Sequence, residues 1–258
     1  MWPDSSGRWQ GSKVTKRRER LPRYVPQWIQ RRVEVNVYNL YNFIEQVSAS
    51  LASGTRVLDA GAGQGRFKLE FAHTRYVGVD LAVGDVEWDY SGLDAICDLV
   101  RLPFGQGTFD AVVCTQVLEH VPEPLQVLRE ISRVLRPEGR LFLSAPQSWH
   151  QHQKPYDYYR YTSFGIRYLV ERAGLKVESI RPMGGYFWFL SFQLQNINYW
   201  LFPRGTRGRR WTWPLRALFG LIFQLIMPLI LFYLDRLDRI KDETFGHVCV
   251  AVKPAEGV

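Results

Sequence analysis

The chain has 258 residues, 46% of them hydrophobic, which allows one domain with an insertion or tails and supplies ample material for a core. Its formal net charge of +8 is concentrated in local runs. Three cysteines (Cys97, Cys114 and Cys249) lie in apolar, strand-like contexts, which excludes a disulfide framework and points to a reducing compartment. No cysteine spacing suits a metal, and the N-terminus has no apolar core of the signal-peptide type, so secretion is not expected.

Residues 1–34 form a basic arm with interspersed tryptophans, and Pro3, Pro22 and Pro26 argue against one continuous helix. Apolar spacing predicts a helix over residues 33–51. The stretch 56–67 (Arg-Val-Leu-Asp-Ala-Gly-Ala-Gly-Gln-Gly-Arg-Phe) then organises the chain. A buried strand ends in Asp59, Gly61, Gly63 and Gly65 make a tight turn, and a helix is expected over residues 67–72. A dinucleotide site needs a glycine where Arg66 stands, and an acid before the turn would oppose a pyrophosphate. The acid suits a cationic ligand.

A second strand ends at Asp80, about twenty residues beyond the glycines, the usual offset for a carboxylate that accepts ribose hydroxyls. A third is read over 94–99, ending at Asp98, and a fourth over 109–114, its mouth at Thr115 to Val121. Residues 124–135 read as an amphipathic helix with Pro124 in its first turn, and 140–145 as a fifth strand. The loop 149–162 is dense in groups that titrate, stack and hydrogen-bond. His150 or His152 is a candidate base for a hydroxyl acceptor, with Asp157 orienting an imidazole. The other reading of Asp157 and Arg160 is that they only hold this loop to the body. His150 and His152 could share a metal, but no third ligand stands beside them and no metal is expected. A helix capped by Thr162 or Ser163 runs to Ala173, a sixth strand spans 175–181, and the last spans 245–253.

These residues resemble the class I S-adenosylmethionine-dependent methyltransferases, whose first motif, Asp/Glu-x-Gly-x-Gly-x-Gly, is filled by Asp59, Gly61, Gly63 and Gly65. Leu102-Pro103-Phe104, Phe109-Asp110 and Leu118-Glu119-His120-Val121 narrow the likeness to the subgroup called domain 11. The block from His152 to Thr162 is similar to one in methyltransferases of bacterial surface-glycan gene clusters. The resemblance implies an α/β, Rossmann-like, doubly wound seven-stranded sheet with the last strand antiparallel. It implies S-adenosyl-L-methionine as cofactor, with Asp80 on the ribose, Leu81, Asp98 and Leu99 at the adenine, and Gln116 by the methionine half. In that subgroup the Glu119–His120 pair is more often structural than catalytic.

The core is thus expected over 35–183 and 244–253, with a hydrophobic helical insertion over 184–243 where the family has a short turn. The insertion carries Arg204, Arg207, Arg209, Arg210, Trp211 and Trp213, then a nearly unbroken apolar run over 218–234. Both its ends belong to one soluble sheet, so a single membrane crossing is excluded, and a two-span hairpin would put the arginines on the wrong side. An in-plane or re-entrant helical pair on an anionic surface is expected, with a homodimer interface as the alternative. The expected function is O-methylation of an amphipathic or glycan acceptor, such as a lipid-linked sugar, by a cytoplasmic protein on the inner face of the cell membrane. An isoprenoid quinone is the alternative acceptor, and a non-catalytic scaffold the alternative role. Nucleic acid is not expected, because Thr115-Gln116-Val117-Leu118 replaces the Asn/Asp-Pro-Pro-Tyr/Phe signature of base-amine methylation.

Overall fold

The computed structural model describes residues 26–84, 88–197, 201 and 213–255. Most of the basic arm, and Arg204, Arg207, Arg209, Arg210 and Trp211, lie outside the described residues. Two compact units are present. One holds Asn42–Arg181 and the chain from Gly246; the other holds the described residues up to Tyr41 and Pro182–Phe245.

The first unit is built on seven strands: β1 (Arg56–Ala60), β2 (Arg75–Asp80), β3 (Ala95–Ile96), β4 (Phe109–Thr115), β5 (Leu135–Pro146), β6 (Lys176–Pro182) and β7 (Gly246–Val252). Their order is β3-β2-β1-β4-β5-β7-β6. The pairs β1–β2, β1–β4 and β4–β5 are parallel, and β7 runs antiparallel to β5, from Arg140 opposite Val252 to Pro146 opposite Gly246. The order reverses between β1 and β4, so the crevice at their carboxyl ends is the topological switch point where ligands of open α/β sheets bind. The central strands are apolar without alternation: Val57, Leu58, Ala111, Val112, Val113, Leu141 and Leu143 are all fully buried. Strands covered on both faces need that pattern.

Helix α3 (Pro124–Val134) puts Val127, Leu128, Ile131 and Val134 into the core at helical spacing, with Pro124 in its first turn. Helix α4 (Ser163–Arg172) is capped by Thr162, whose side chain accepts from the Gly165 N–H at 3.1 Å. Gly174, at φ +81°, lets the chain leave it.

Three expectations are corrected. Residues 67–72 form consecutive turns closed by bonds three residues apart, such as Lys68 N–H to Gly65 O and Glu70 N–H to Phe67 O, rather than an α-helix. Positive φ persists to Gly65, and the run left before β2 is too short to propagate regular helix. The third strand shrinks to two residues, because its edge position leaves Ile96 exposed and Asp98 turns back on Val100. The fifth strand starts earlier, at Leu135, with a register shift against β4 between Phe109 and Ala111.

The second unit is helical: α1 (Gln27–Val33), α5 (Tyr186–Gln195), α6 (Trp213–Leu221) and α7 (Met227–Leu234). A further helix, α2 (Val35–Ser50), runs through the boundary at Tyr41. The helices α6 and α7 are parts of one helical run, Trp213–Leu237, joined by a π-helical stretch at Ile222–Ile226. There the Met227 N–H reaches back to Ile222 O, one residue further than in an α-helix, just ahead of the ring of Pro228. Trp188 stacks on Phe232 at 5.3 Å and donates Nε1–H to Phe232 O at 3.0 Å. Arg32 donates to Tyr233 Oη at 2.9 Å, and the Gln195 amide donates to Val33 O at 2.9 Å.

Candidate functional site

The glycine turn leaves the carboxyl end of β1 and lies against the end of β2. The N–H groups of Gly61 and Ala62 both donate to Val79 O at 2.9 Å, and the Gly63 N–H donates to Asp80 Oδ2 at 2.9 Å. Asp80 Oδ1 takes the Ala82 N–H at 2.8 Å, so this carboxylate fixes the turn and the chain after β2 together. A Cβ at Gly61, which has φ +90°, would drive into the Val117 side chain. At Gly63, φ +57°, it would stand 3.4 Å from the Trp88 ring. Bare backbone is therefore required at Gly61, while at Gly63 it is the left-handed φ that favours glycine.

Asp59 is 1% exposed, at the floor of this turn. Its Oδ2 accepts the Tyr76 hydroxyl at 2.7 Å, while Oδ1 is buried without a partner. Burial, with Asp80 adding to it and the Tyr76 bond opposing, pushes this carboxyl up to about 7. A cation placed against Oδ1 would satisfy the orphaned oxygen and restore the charge. Leu81 is 45% exposed beside Asp80, whereas Leu99 is 5% exposed within the core cluster. Asp98 is exposed and accepts the Val100 N–H. Gln116, at φ +55°, donates its N–H to Ser144 O at 2.9 Å and its amide to Ser144 Oγ at 3.1 Å, bridging β4 and β5 at the crevice.

The loop expected to set the substrate is stitched to the segment after β4. Tyr158 N–H donates to Glu119 O at 2.8 Å, Tyr159 Oη to Pro122 O at 3.0 Å, and Tyr161 Oη to Leu118 O at 2.8 Å. This brings His152 onto His120, ring centroids 4.6 Å apart and edge to face. His150 is not in that contact: its ring is exposed, lies against Trp149 and stands 6.2 Å from His152. Asp157 takes the His152 N–H at 2.9 Å on Oδ2 and pairs with both terminal nitrogens of Arg160 at 2.7 and 2.9 Å. Burial works to raise this carboxyl, but Arg160 and the His152 amide hold it below the usual range. Arg160 also donates to Trp149 O and His150 O, so it holds the loop as well as the acid.

Glu119 and His120, read as structural from sequence, are the residues that the sequence reading passed over. Glu119 is fully buried with neither carboxylate oxygen partnered, and burial pushes it up to about 8. His120 donates Nδ1–H to Tyr156 O at 2.5 Å, leaving Nε2 buried and unpartnered 3.8 Å from Glu119 Oε1. Burial, with His120 nearby, pulls His152 down to about 4. One ligand atom from each of Glu119, His120 and His152 lies within 4.8 Å of the others. A Glu-His pair at a strand mouth followed by His-x-His was the available signal, but sequence spacing does not disclose the fold-back of the loop.

Residues 58–143 match the family model of a methyltransferase domain. With the sheet order and the glycine turn, this match shows that the chain carries a class I S-adenosylmethionine-dependent methyltransferase domain. Among curated proteins, it is similar to the ubiquinone biosynthesis O-methyltransferases of Xanthomonas oryzae pv. oryzae and Xanthomonas campestris pv. campestris, at 36% and 35% identity over 116 residues. That segment is 39% of this chain and 47% of those proteins, so the match spans about half the length of the relatives. Among solved structures, the cyclase SpnF aligns with a TM-score of 0.52 at 18% identity, covering 82% of this chain and 80% of that one. The 1,6-didemethyltoxoflavin N1-methyltransferase of Burkholderia thailandensis aligns at 0.50 and 19%, covering 84% and 78%. These likenesses show the fold.

Proposed function

We propose that the protein transfers a methyl group from S-adenosyl-L-methionine to a hydroxyl of an amphipathic acceptor held at a membrane. The observation that carries the cofactor is the orphaned Oδ1 of Asp59 under a turn that admits no side chain at Gly61. When bound, S-adenosylmethionine supplies an electrophilic methyl on a sulfonium, whose electron pair stays on sulfur as the methyl leaves. Asp59 holds the positive charge of the methionine half, with Gln116 beside it. Asp80 accepts the ribose hydroxyls while it pins Gly63. Leu81 covers the adenine from its exposed position, with Asp98 and Leu99 at the same end. The acceptor oxygen uses its own pair to form the new O–C bond, in line with the S–C bond that breaks. Its proton passes to His150, the exposed imidazole on the loop that Asp157 and Arg160 hold, near His152.

The tyrosines of this loop, Tyr156, Tyr158 and Tyr159, are exposed and suit the ring faces of a lipid-linked sugar. The O-methyltransferases of ubiquinone biosynthesis among the relatives favour a second acceptor, an aromatic ring on an isoprenoid tail. Both acceptors suit the helical run Trp213–Leu237, which among the described residues is the one helix long and apolar enough to cross a membrane. At about 1.5 Å per residue its 25 residues exceed a bilayer core of about 30 Å, whereas the ten residues of α5 reach only about 15 Å. A matched pair of spans is therefore lacking among the described residues. An interfacial seat is favoured, on the inner face of a cell membrane. Calorimetric titration of the purified protein with S-adenosylmethionine is the test. Micromolar binding supports the reading, and absence of binding with and without anionic vesicles overturns it.

A further inference from the structure

The cluster at the mouth of β4 contains more unanswered chemistry than methyl transfer uses. Glu119 is wholly buried with both oxygens lacking a partner, and His120 Nε2 is buried and lacks one too. Leaving such groups unmet is costly, so a carboxylate and an imidazole nitrogen orphaned side by side call for something to sit there.

Both imidazoles are set in the same tautomer. His120 Nδ1 faces Tyr156 O at 2.5 Å, and His152 Nδ1 faces His150 O at 3.1 Å with Asp157 Oδ2 at 3.7 Å. Each Nδ1 therefore carries its proton, and each Nε2 presents a lone pair. A carbonyl or carboxylate behind the far nitrogen is how proteins orient a metal-binding histidine. Asp157 is itself held by Arg160, so the support behind His152 is two layers deep.

We propose that Glu119, His120 and His152 bind one divalent transition-metal ion of the zinc class. Their ligand atoms lie within 4.8 Å of one another, a spread that a modest closure of the loop bearing His152 would bring onto an ion. Two imidazoles with one carboxylate suit zinc-like ions, while magnesium and calcium prefer oxygen shells. Three protein ligands leave a position open, the arrangement of a catalytic rather than a structural site. That position takes the acceptor oxygen and orients it; this role, though not metal binding itself, rests on the methyl-transfer reading. Sequence spacing gave only His150 and His152, and the fold supplies the missing ligands from the segment after β4.

The test uses tag-free, full-length protein dialysed against zinc, with metal content measured, and the metal-free protein titrated with cobalt(II) while visible absorption is followed. Stoichiometric metal, with cobalt bands typical of low coordination number, is expected. His152→Ala and His120→Ala should each abolish stoichiometric binding. Asp157→Asn, which changes only the support, should weaken it by about 10–100-fold. Circular dichroism checks that the variants fold; His152 lies on a loop, so its replacement tests the site even if His120→Ala does not fold. No retained metal in the wild type, or full retention in His152→Ala, overturns the proposal. S-adenosylmethionine titrated into the same samples separates the two readings. Metal binding without cofactor binding would sink the methyltransferase reading and leave the metal site standing.

Discussion

At the scale of single residues, Asp59 and Asp80 do different work although both end a strand. Asp80 is half-buried and already accepts two backbone N–H groups, so it is a framework acid with lone pairs to spare. Asp59 is sealed in, and its charge is disfavoured until a cation arrives. Its carboxyl is raised in the fold, so its contribution to stability is full below about pH 4 and is lost as pH rises toward about 7. Asp59→Asn, which keeps an acceptor for the Tyr76 hydroxyl, should remove that loss. The melting temperature of the ligand-free variant should gain on the wild type from pH 5 to 8, as thermal scans would record. Cofactor binding has the opposite sign, because it requires the ionised acid. Wild-type affinity for S-adenosylmethionine should rise by about tenfold per pH unit from 5 toward 7, and that of Asp59→Asn should be weaker and flat. An equally steep profile in the variant would remove Asp59 from the site. Asp80→Ala should cost about 1–3 kcal/mol of cofactor binding by calorimetry, since a charged acceptor is lost. Unchanged binding would refute the ribose assignment.

At the scale of elements, the chain's legibility follows how local each determinant is. Strands β1, β4 and β5 were readable because a fully buried strand writes itself as an apolar run. The helix from Ser163 was readable because Thr162 and Gly174 are its cap and its exit. The edge strand β3 and the turns at residues 67–72 were not, since an edge strand is ended by pairing and the turns by the preceding glycines rather than by composition. The Glu119–His120–His152 cluster was least legible, for it depends on Tyr158, Tyr159 and Tyr161 docking on backbone carbonyls about forty residues away. In the helical unit, Asp235 is another long-range determinant: it is buried, accepts the N–H groups of Gly185 and Trp188 at the start of α5, and pairs with Lys241 at 2.9 Å. Asp235→Ala should therefore destabilise by about 1–3 kcal/mol in denaturant unfolding, as loss of a cap and of a buried partner does together. A change below a few tenths of a kcal/mol would mean that the cap is dispensable.

At the scale of the whole molecule, the question is what the apolar helical run is for. Leu215, Leu218, Leu221, Ile226, Ile230 and Leu237 are each at least 42% exposed, and a water-facing helix of that composition is a liability unless something covers it. A bilayer interface and a second copy of the chain are the two candidates, and charge separates them. The net charge of +8, with four arginines between residues 204 and 210, gives an anionic surface something to attract, each cation near the surface contributing about 1 kcal/mol. A second copy carries the same net charge and offers no such attraction. Cosedimentation with phosphatidylglycerol vesicles should therefore capture the protein, and raised salt should weaken the capture. The combined substitutions Leu215→Gln, Leu218→Gln and Leu221→Gln fall at exposed positions, so they should leave folding and cofactor affinity intact while abolishing capture. A salt-insensitive dimer in sedimentation equilibrium that ignores vesicles, and that the same substitutions dissociate, would assign the helix to self-association. The acceptor would then have to reach the crevice from solution.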